Sequence, residues 1–320
     1  MKEELLFEEN EPCRLDSFLT RQINQFSRTK IQKIINEGHV KVDGFIVKSS
    51  FILKGKEVIS YELKSTENNI DYVVPEKMNL NVLFEDNDII VINKSAGIVV
   101  HPAIGNKTGT LLNGLLYHCK DLSEISMDRP GVIHRLDKNT SGVIVFAKND
   151  RAHYYISDQF AERKVKKKYI ALVWGKLVKN GSIKGKIKRN PKNRLGFILN
   201  DKIGKDSFSE YRVIENFDIP VTLVNIFPKT GRTHQIRVHL SSIGHPIIND
   251  HLYGGGETSR INSFHEKNRS SLLKVCNLSK RVSLHASEIE FKHPSNKKII
   301  KFKADLSNDI YNAINYLRTA

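Results

Sequence analysis

The sequence predicts an α+β fold: a domain built on a mixed, mainly antiparallel sheet, preceded by a small α/β unit. Three observations carry this expectation. β-rich and helical runs are interspersed irregularly instead of alternating one for one, which disfavours a doubly wound parallel sheet. Residues 1–62 form a self-contained pattern of two amphipathic segments and a hairpin. A polar, aperiodic stretch at 63–79, containing Ser65-Thr66-Glu67-Asn68-Asn69, then reads as a linker to a body at 80–320.

In the first unit, amphipathic segments run from Arg14 to Gln25 and from Ser27 to Glu37, with Ser27 placed to cap the second and Gly38 to end it. Ile31, Ile34 and Ile35 have the spacing of a buried helical stripe, whereas Arg28, Lys30 and Lys33 face solvent or a phosphate backbone. Asp43-Gly44 between β-branched stretches signals a hairpin joining His39–Val42 to Phe45–Val47. Beyond the linker, strands are expected at Val82–Phe84, Ile89–Asn93, Val132–Leu136, Val143–Ala147, Tyr169–Trp174 and Thr222–Phe227, and helices at Arg151–Phe160 and His234–Leu240.

Composition narrows the function class. With 320 residues, 39% hydrophobic and 27% charged, the chain lies in the globular range and away from disorder. A formal net charge of +16 favours a polyanionic partner. Abundant Lys, Asn and Ile suggest that an AT-rich coding bias contributes to that charge, but the clusters Lys164–Lys168 and Lys184–Arg194 are harder to explain that way. Cys13, Cys119 and Cys276 are odd in number and far apart, giving neither a disulfide framework nor a metal-binding pair, and a reducing cytoplasm fits. The acidic N-terminus is unlike a signal peptide and no long apolar run exists, so neither export nor membrane insertion is expected.

The stretch His134-Arg135-Leu136-Asp137-Lys138-Asn139-Thr140-Ser141-Gly142 places Asp137 where an apolar run meets a polar turn. Locally this reads as an Asx-turn aspartate bonded to nearby backbone N–H groups. The same stretch resembles the signature of RluA-type RNA pseudouridine synthases, and further matches follow in order. Lys168-Tyr169-Ile170-Ala171-Leu172-Val173-Trp174-Gly175 resembles the family's tyrosine motif, and Thr230-Gly231-Arg232-Thr233-His234-Gln235-Ile236-Arg237-Val238-His239-Leu240 its arginine motif. Leu284-His285-Ala286, Phe291 and His293-Pro294 complete the set, while Arg14-Leu15-Asp16, Ser27-Arg28 and residues 38–44 resemble an S4-type RNA-binding domain.

The resemblance implies a pseudouridine synthase fold behind an S4-like domain, acting without a cofactor and as a monomer on structured RNA, most naturally large-subunit ribosomal RNA. It implies Asp137 as nucleophile, Arg237 as its ionic partner and Tyr169 as the platform for a flipped base. Expected RNA contacts are Arg135, Arg28, Lys30, Lys33, Lys166, Lys167, Arg189, Arg232 and His234. Without the motifs, Tyr169 would read as a core aromatic and Arg237 as an amphipathic surface residue.

Other classes fit less well. His234, His239, His245 and His251 suggest a metal, but His234 and His239 are five apart and no HExxH or cysteine pair accompanies them, so no metal is expected. Gly254-Gly255-Gly256 lacks the pattern of a nucleotide-binding loop. A non-catalytic RNA-binding factor remains the second reading, and a glycosidase lacks an evident second carboxylate.

Overall fold

The computed structural model describes residues 2–9, 11–23, 28–62, 73–103, 105–126 and 129–319. They divide into two units, Met1–Val73 with Glu124–Pro130, and Val74–Ser123 with Gly131–Ala320.

The first unit contains β1 (Lys2–Leu6), β2 (Cys13–Arg14), α1 (Leu15–Gln22), α2 (Arg28–Asn36), β3 (Val40–Val42), β4 (Phe45–Ile46), β5 (Ile52–Leu53) and β6 (Val58–Glu62). Its main sheet runs β1-β6-β3-β4, antiparallel throughout. Asp43 and Gly44 have φ of 49° and 84°, the two positive values of the tight turn that the Asp-Gly pair predicts. Gly38, at φ 80°, ends α2 by donating to Ile35 O at 3.0 Å while His39 N donates to Ile34 O at 3.2 Å. Ile31 and Ile35 are buried as expected, with Leu15, Phe18, Leu19 and Ile59. Asp16 is wholly buried and accepts two bonds from Arg14, at 2.9 and 3.0 Å, and one from Gln32 at 2.6 Å. The Arg14-Leu15-Asp16 motif therefore ties the start of α1 to α2.

The second unit holds β7 (Val82–Glu85), β8 (Ile89–Lys94), α3 (Leu111–His118), β9 (Ser141–Ala147), α4 (Asp150–Ala161), β10 (Lys166–Trp174), β11 (Gly181–Arg189), β12 (Phe197–Asn200), β13 (Lys205–Asn216) and β14 (Val221–Pro228). There follow α5 (Gln235–Ser242), α6 (Glu257–Ile261), α7 (Arg269–Ser279), β15 (Leu284–Lys292), β16 (Ile299–Lys303) and α8 (Asn308–Thr319). One sheet runs β12-β11-β13-β14-β10-β15-β9-β8-β7, with β16 also on β15. Every pairing is antiparallel except β9 with β15, so the fold is α+β with a mixed, mainly antiparallel sheet.

Sheet alternation distributes the core. On β10, Leu172 and Trp174 face a core that includes α7 and α8, whereas Ala171 and Val173 face one that includes Ile236 and Leu240 of α5. β9 is buried at all seven positions, as a central strand covered on both faces must be. Among the described residues, no helix is long and apolar enough to cross a membrane.

The expected strand Val132–Leu136 does not form. Val132 makes only an isolated bridge to Phe146, and 133–137 run without regular structure. Instead of a backbone ladder, the His134 side chain serves the edge of β9: its Nε2 accepts from Val145 N at 3.1 Å. Burial, helped by Lys167, pulls the His134 imidazole down to about 3, so the nitrogen is free of a proton and can accept.

Candidate active site

Asp137 sits at the end of this irregular segment, and its neighbourhood is built to hold one shape. Its carbonyl accepts from Thr140 N at 3.0 Å, closing the turn. Lys94, at the end of β8 and 1% exposed, donates to Ser95 O at 2.9 Å, Ile98 O at 2.8 Å and Lys138 O at 3.2 Å. Gly97 N also donates to Lys138 O, at 2.8 Å. Just beyond the turn, Gly142 has φ 113°, and a Cβ there would lie 2.2 Å from Ala286 O. Only glycine allows β9 to meet β15 at that point.

The Asp137 side chain turns toward Arg237 on α5, whose Nη1 donates to Oδ2 at 3.2 Å. The other edge of the guanidinium is held bidentately by Asp250, Nε to Oδ2 at 2.7 Å and Nη2 to Oδ1 at 2.8 Å. Asp250 is wholly buried. Burial opposes the charge on Arg237, but Asp250 first and Asp137 second outweigh it and raise the guanidinium pKa above its ordinary value. The Tyr253 ring lies 4.9 Å from the guanidinium carbon, and its hydroxyl meets His234 Nδ1 at 2.8 Å. His234 Nε2 in turn lies 3.9 Å from Asp137 Oδ2.

His234 precedes α5 in the left-handed region, at φ 55°. Gln235 fixes that turn from the core: its Oε1 accepts from Thr230 Oγ1 at 2.7 Å and Arg232 N at 3.0 Å, and its Nε2 donates to Phe208 O and Ser209 Oγ, both at 3.0 Å. A buried amide with every bond made holds the loop from which Arg232 and His234 project.

Asp137, Arg237, His234, Gln235, Thr230 and Arg232 line a cavity of about 520 Å³, and Asp137 also borders a second of about 480 Å³. Asp137 is the only carboxylate among the described residues that line the larger one, whose walls carry Arg135, Arg163, Lys167, Lys229, Arg232 and Arg237. Such a wall attracts a phosphodiester. Tyr169 lines the same cavity, and burial, then Asp137, push its hydroxyl above the ordinary tyrosine value, so it stays protonated. Lys167 donates to Thr230 O at 3.2 Å and is pulled down to about 8 by burial.

The fold thus brings together Asp137, Tyr169, Arg237, Arg135, Lys167, Arg232 and His234. Two candidates lie elsewhere. Lys166 points off the other face of β10 to Glu290 at 2.7 Å, and Arg189 covers the Phe197 ring at 5.1 Å. The side chains of Arg28, Lys30 and Lys33 lie outside the described residues. The suspected metal histidines are occupied separately: His239 lies between Ser207 and Ser209, 2.9 and 3.0 Å away, and His245 bonds to Trp174 O at 2.8 Å.

Asp250 and Tyr253 were not evident from the sequence. The usable signal is the glycine triplet that follows them. A Cβ on Gly255 would lie 1.8 Å from Ile247 O, and this contact folds 247–255 tightly enough to aim Asp250 inward. Gly255 N donates to Asp250 O and Asn249 N to Gly255 O, both at 2.8 Å.

The RNA pseudouridylate synthase family matches residues 88–242 and the S4 domain family residues 13–59. An RNA pseudouridine synthase of Chlorobaculum parvum is 40% identical over 96% of this chain and 95% of that protein. Ribosomal large subunit pseudouridine synthase D of Neisseria meningitidis serogroup B is 38% identical over 95% of this chain and 79% of that protein. The solved structure of human RNA pseudouridylate synthase domain containing 1 covers 80% of this chain and 98% of its own, with a TM-score of 0.54 at 24% identity, and shares the fold. Fold and relatives define an RNA-modifying enzyme. The chain belongs to the RNA pseudouridine synthases, and its substrate is RNA.

Proposed function

We propose that this enzyme converts uridine to pseudouridine in large-subunit ribosomal RNA, with Asp137 as nucleophile. The observation that carries the reading is a carboxylate, the only one among the described residues of a cation-lined cavity, hydrogen-bonded to an arginine whose other edge is clamped by a buried aspartate. The substrate class is suggested by relatives named for the large ribosomal subunit.

The reaction breaks the N1–C1′ bond, turns the uracil and joins C5 to C1′, while a proton leaves C5 and N1 gains one. No electrons are lost and no water is consumed, so a nucleophile and a closed space suffice. Arg237, hydrogen-bonded to Asp137, orients it for attack on the sugar or the base. Tyr169 forms the platform on which the uracil lies and turns, and its protonated hydroxyl serves the proton movement at C5. Arg135, Arg232, His234 and Lys167 receive the flanking backbone at the cavity mouth, Lys166 and Arg189 offer further cations on the same unit, and Arg28, Lys30 and Lys33 serve as RNA contacts of the first unit.

Residues 1–62 serve as the RNA-binding unit, 63–79 as linker and 80–320 as catalytic domain. The enzyme works as a monomer in the cytoplasm, and the redox-neutral isomerisation calls for no cofactor.

The test is pseudouridine mapping of ribosomal RNA from cells with and without the gene, complemented by wild-type protein or Asp137→Asn. Loss of a large-subunit pseudouridine, restored only by wild type, is expected. An unchanged ribosomal map overturns the assignment to ribosomal RNA, and full restoration by Asp137→Asn overturns the nucleophile and favours a binding role.

A further inference from the structure

Arg281 lies in the short connection between α7 and β15, with its side chain 9% exposed. The backbone there is fixed: Lys280 ends α7 in the left-handed region at φ 54°, and Arg281 N donates to Ser279 O at 2.7 Å. From this point the guanidinium spans two segments far apart in the chain. On one side Asp309, at the start of α8, accepts from Nε at 2.7 Å and from Nη2 at 3.1 Å, and Ser307 Oγ accepts from Nη2 at 2.6 Å. On the other side lies the turn that carries Asp137. Nη1 donates to Asn139 O and Nη2 to Ser141 Oγ, both at 2.8 Å.

Ser141 is held from a second direction. Burial, helped by the charge of Arg281 and only partly offset by a bond to Ala304 O, keeps the His285 imidazole below its ordinary value and therefore neutral. Its Nε2 donates to Ala304 O at 3.1 Å, so Nδ1 is the bare nitrogen that accepts from Ser141 Oγ at 2.9 Å. The buried Ser141 hydroxyl thus accepts from Arg281 and donates to His285.

An arginine that served only the packing of α8 would need Asp309 and Ser307 alone. Arg281 carries that anchor across to residues 139 and 141, on either side of Thr140, whose N–H closes the Asp137 turn at 3.0 Å. The arrangement parallels the one at the carboxylate. Asp250 clamps Arg237, which meets the Asp137 side chain, and Asp309 clamps Arg281, which meets the backbone just beyond it.

We infer that Arg281 is a positioning residue for the reaction: clamped by Asp309, it fixes the backbone of residues 139–141 so that the Asp137 carboxylate faces the bound uridine. The start of α8 thereby belongs to the frame of the active site. The inference rests on the reading of Asp137 as nucleophile. Arg281 lines neither cavity, so it acts on the rate and not on RNA affinity.

The experiment uses the full-length enzyme and an in-vitro transcript of large-subunit ribosomal RNA labelled with [5-³H]uridine. It compares the single-turnover rate of tritium release with the Kd for the same transcript, both normalised to folded protein. Arg281→Lys keeps the charge but lacks the planar fork that holds Asp309 and reaches Asn139 O together. It should lose about tenfold to a hundredfold in rate, the effect of a misplaced reacting group, with Kd within about twofold of wild type. Ser141→Ala leaves the Arg281–Asp309 pair in place and should lose about fivefold in rate, again without a change in Kd. If Arg281→Lys gives no folded protein, Ser141→Ala decides alone. A wild-type rate per folded enzyme in either variant, or a rise in Kd that matches the fall in rate, overturns the positioning role. Tritium release by Asp137→Asn at the wild-type rate overturns the reading of Asp137 on which the inference rests.

Discussion

Asp250 holds Arg237 through two hydrogen bonds of 2.7 and 2.8 Å, while Asp137 takes one of 3.2 Å from the same guanidinium. The shorter, bidentate pair is wholly buried at Asp250, and the longer one opens onto both cavities. One arginine therefore has a structural edge and a reactive edge, and the two can be separated by mutation.

Asp250→Ala leaves the Arg237 charge buried with its remaining partner misaligned. Breaking such a pair costs roughly 3–5 kcal/mol. Urea denaturation should show that loss, together with a fall in kcat. Asp137→Asn, by contrast, should abolish turnover while shifting stability by no more than about 1 kcal/mol. Equal destabilisation by both variants would contradict the division of roles.

Gly142→Ala tests the contact that seats the Asp137 turn on β15. The added Cβ meets the Ala286 backbone at 2.2 Å, at a φ of 113°. Neither strand can withdraw without breaking the sheet, so the variant should lose at least ~3 kcal/mol and yield little soluble enzyme. Wild-type-like thermal unfolding would refute this.

His239 predicts an acid limit to stability. Burial between two serines pulls its imidazole down to about 4 from an ordinary value near ~6.5. The unfolded chain then binds the proton more readily, so this contribution is complete above about pH 6.5 and is lost as the pH falls toward 4, by up to ~3 kcal/mol. His239→Gln should flatten the pH dependence of the denaturation midpoint in that window. A slope identical to wild type would show that other groups account for acid unfolding.

Lys167 predicts an alkaline limit to RNA binding. It is charged below about 8 and neutral above, so KM for RNA should rise as the pH passes through that value. Lys167→Gln should raise KM several-fold at pH 7, remove the rise, and lower the slope of log affinity against log salt by about 1. An unchanged salt slope would mean that no phosphate reaches it.

How much of this was legible in the chain itself divides along the range of the interactions. Asp43-Gly44 and Gly38 announced a turn and a helix end because positive φ is a local demand that few residues meet. The isoleucines of α2 and the apolar run of β9 announced buried faces by periodicity and composition. The expected strand at 132–136 failed for a reason no local pattern carries: the place beside β9 is served by the His134 side chain and not by a ladder.

At the site, sequence alone marked Asp137, Tyr169 and Arg237 through motif order, but left Asp137 equally readable as a turn residue. The turn is indeed closed, by the Asp137 carbonyl, which leaves the carboxylate to reach Arg237 from a hundred residues away. Only the tertiary structure decided that the arginine is shared with Asp250 and that Lys94 pins the turn from behind. Only it tied the same turn, through Arg281, to the start of α8. Each of these depends on segments distant in sequence meeting at a few ångströms, and that coincidence is created by the packing of the sheet.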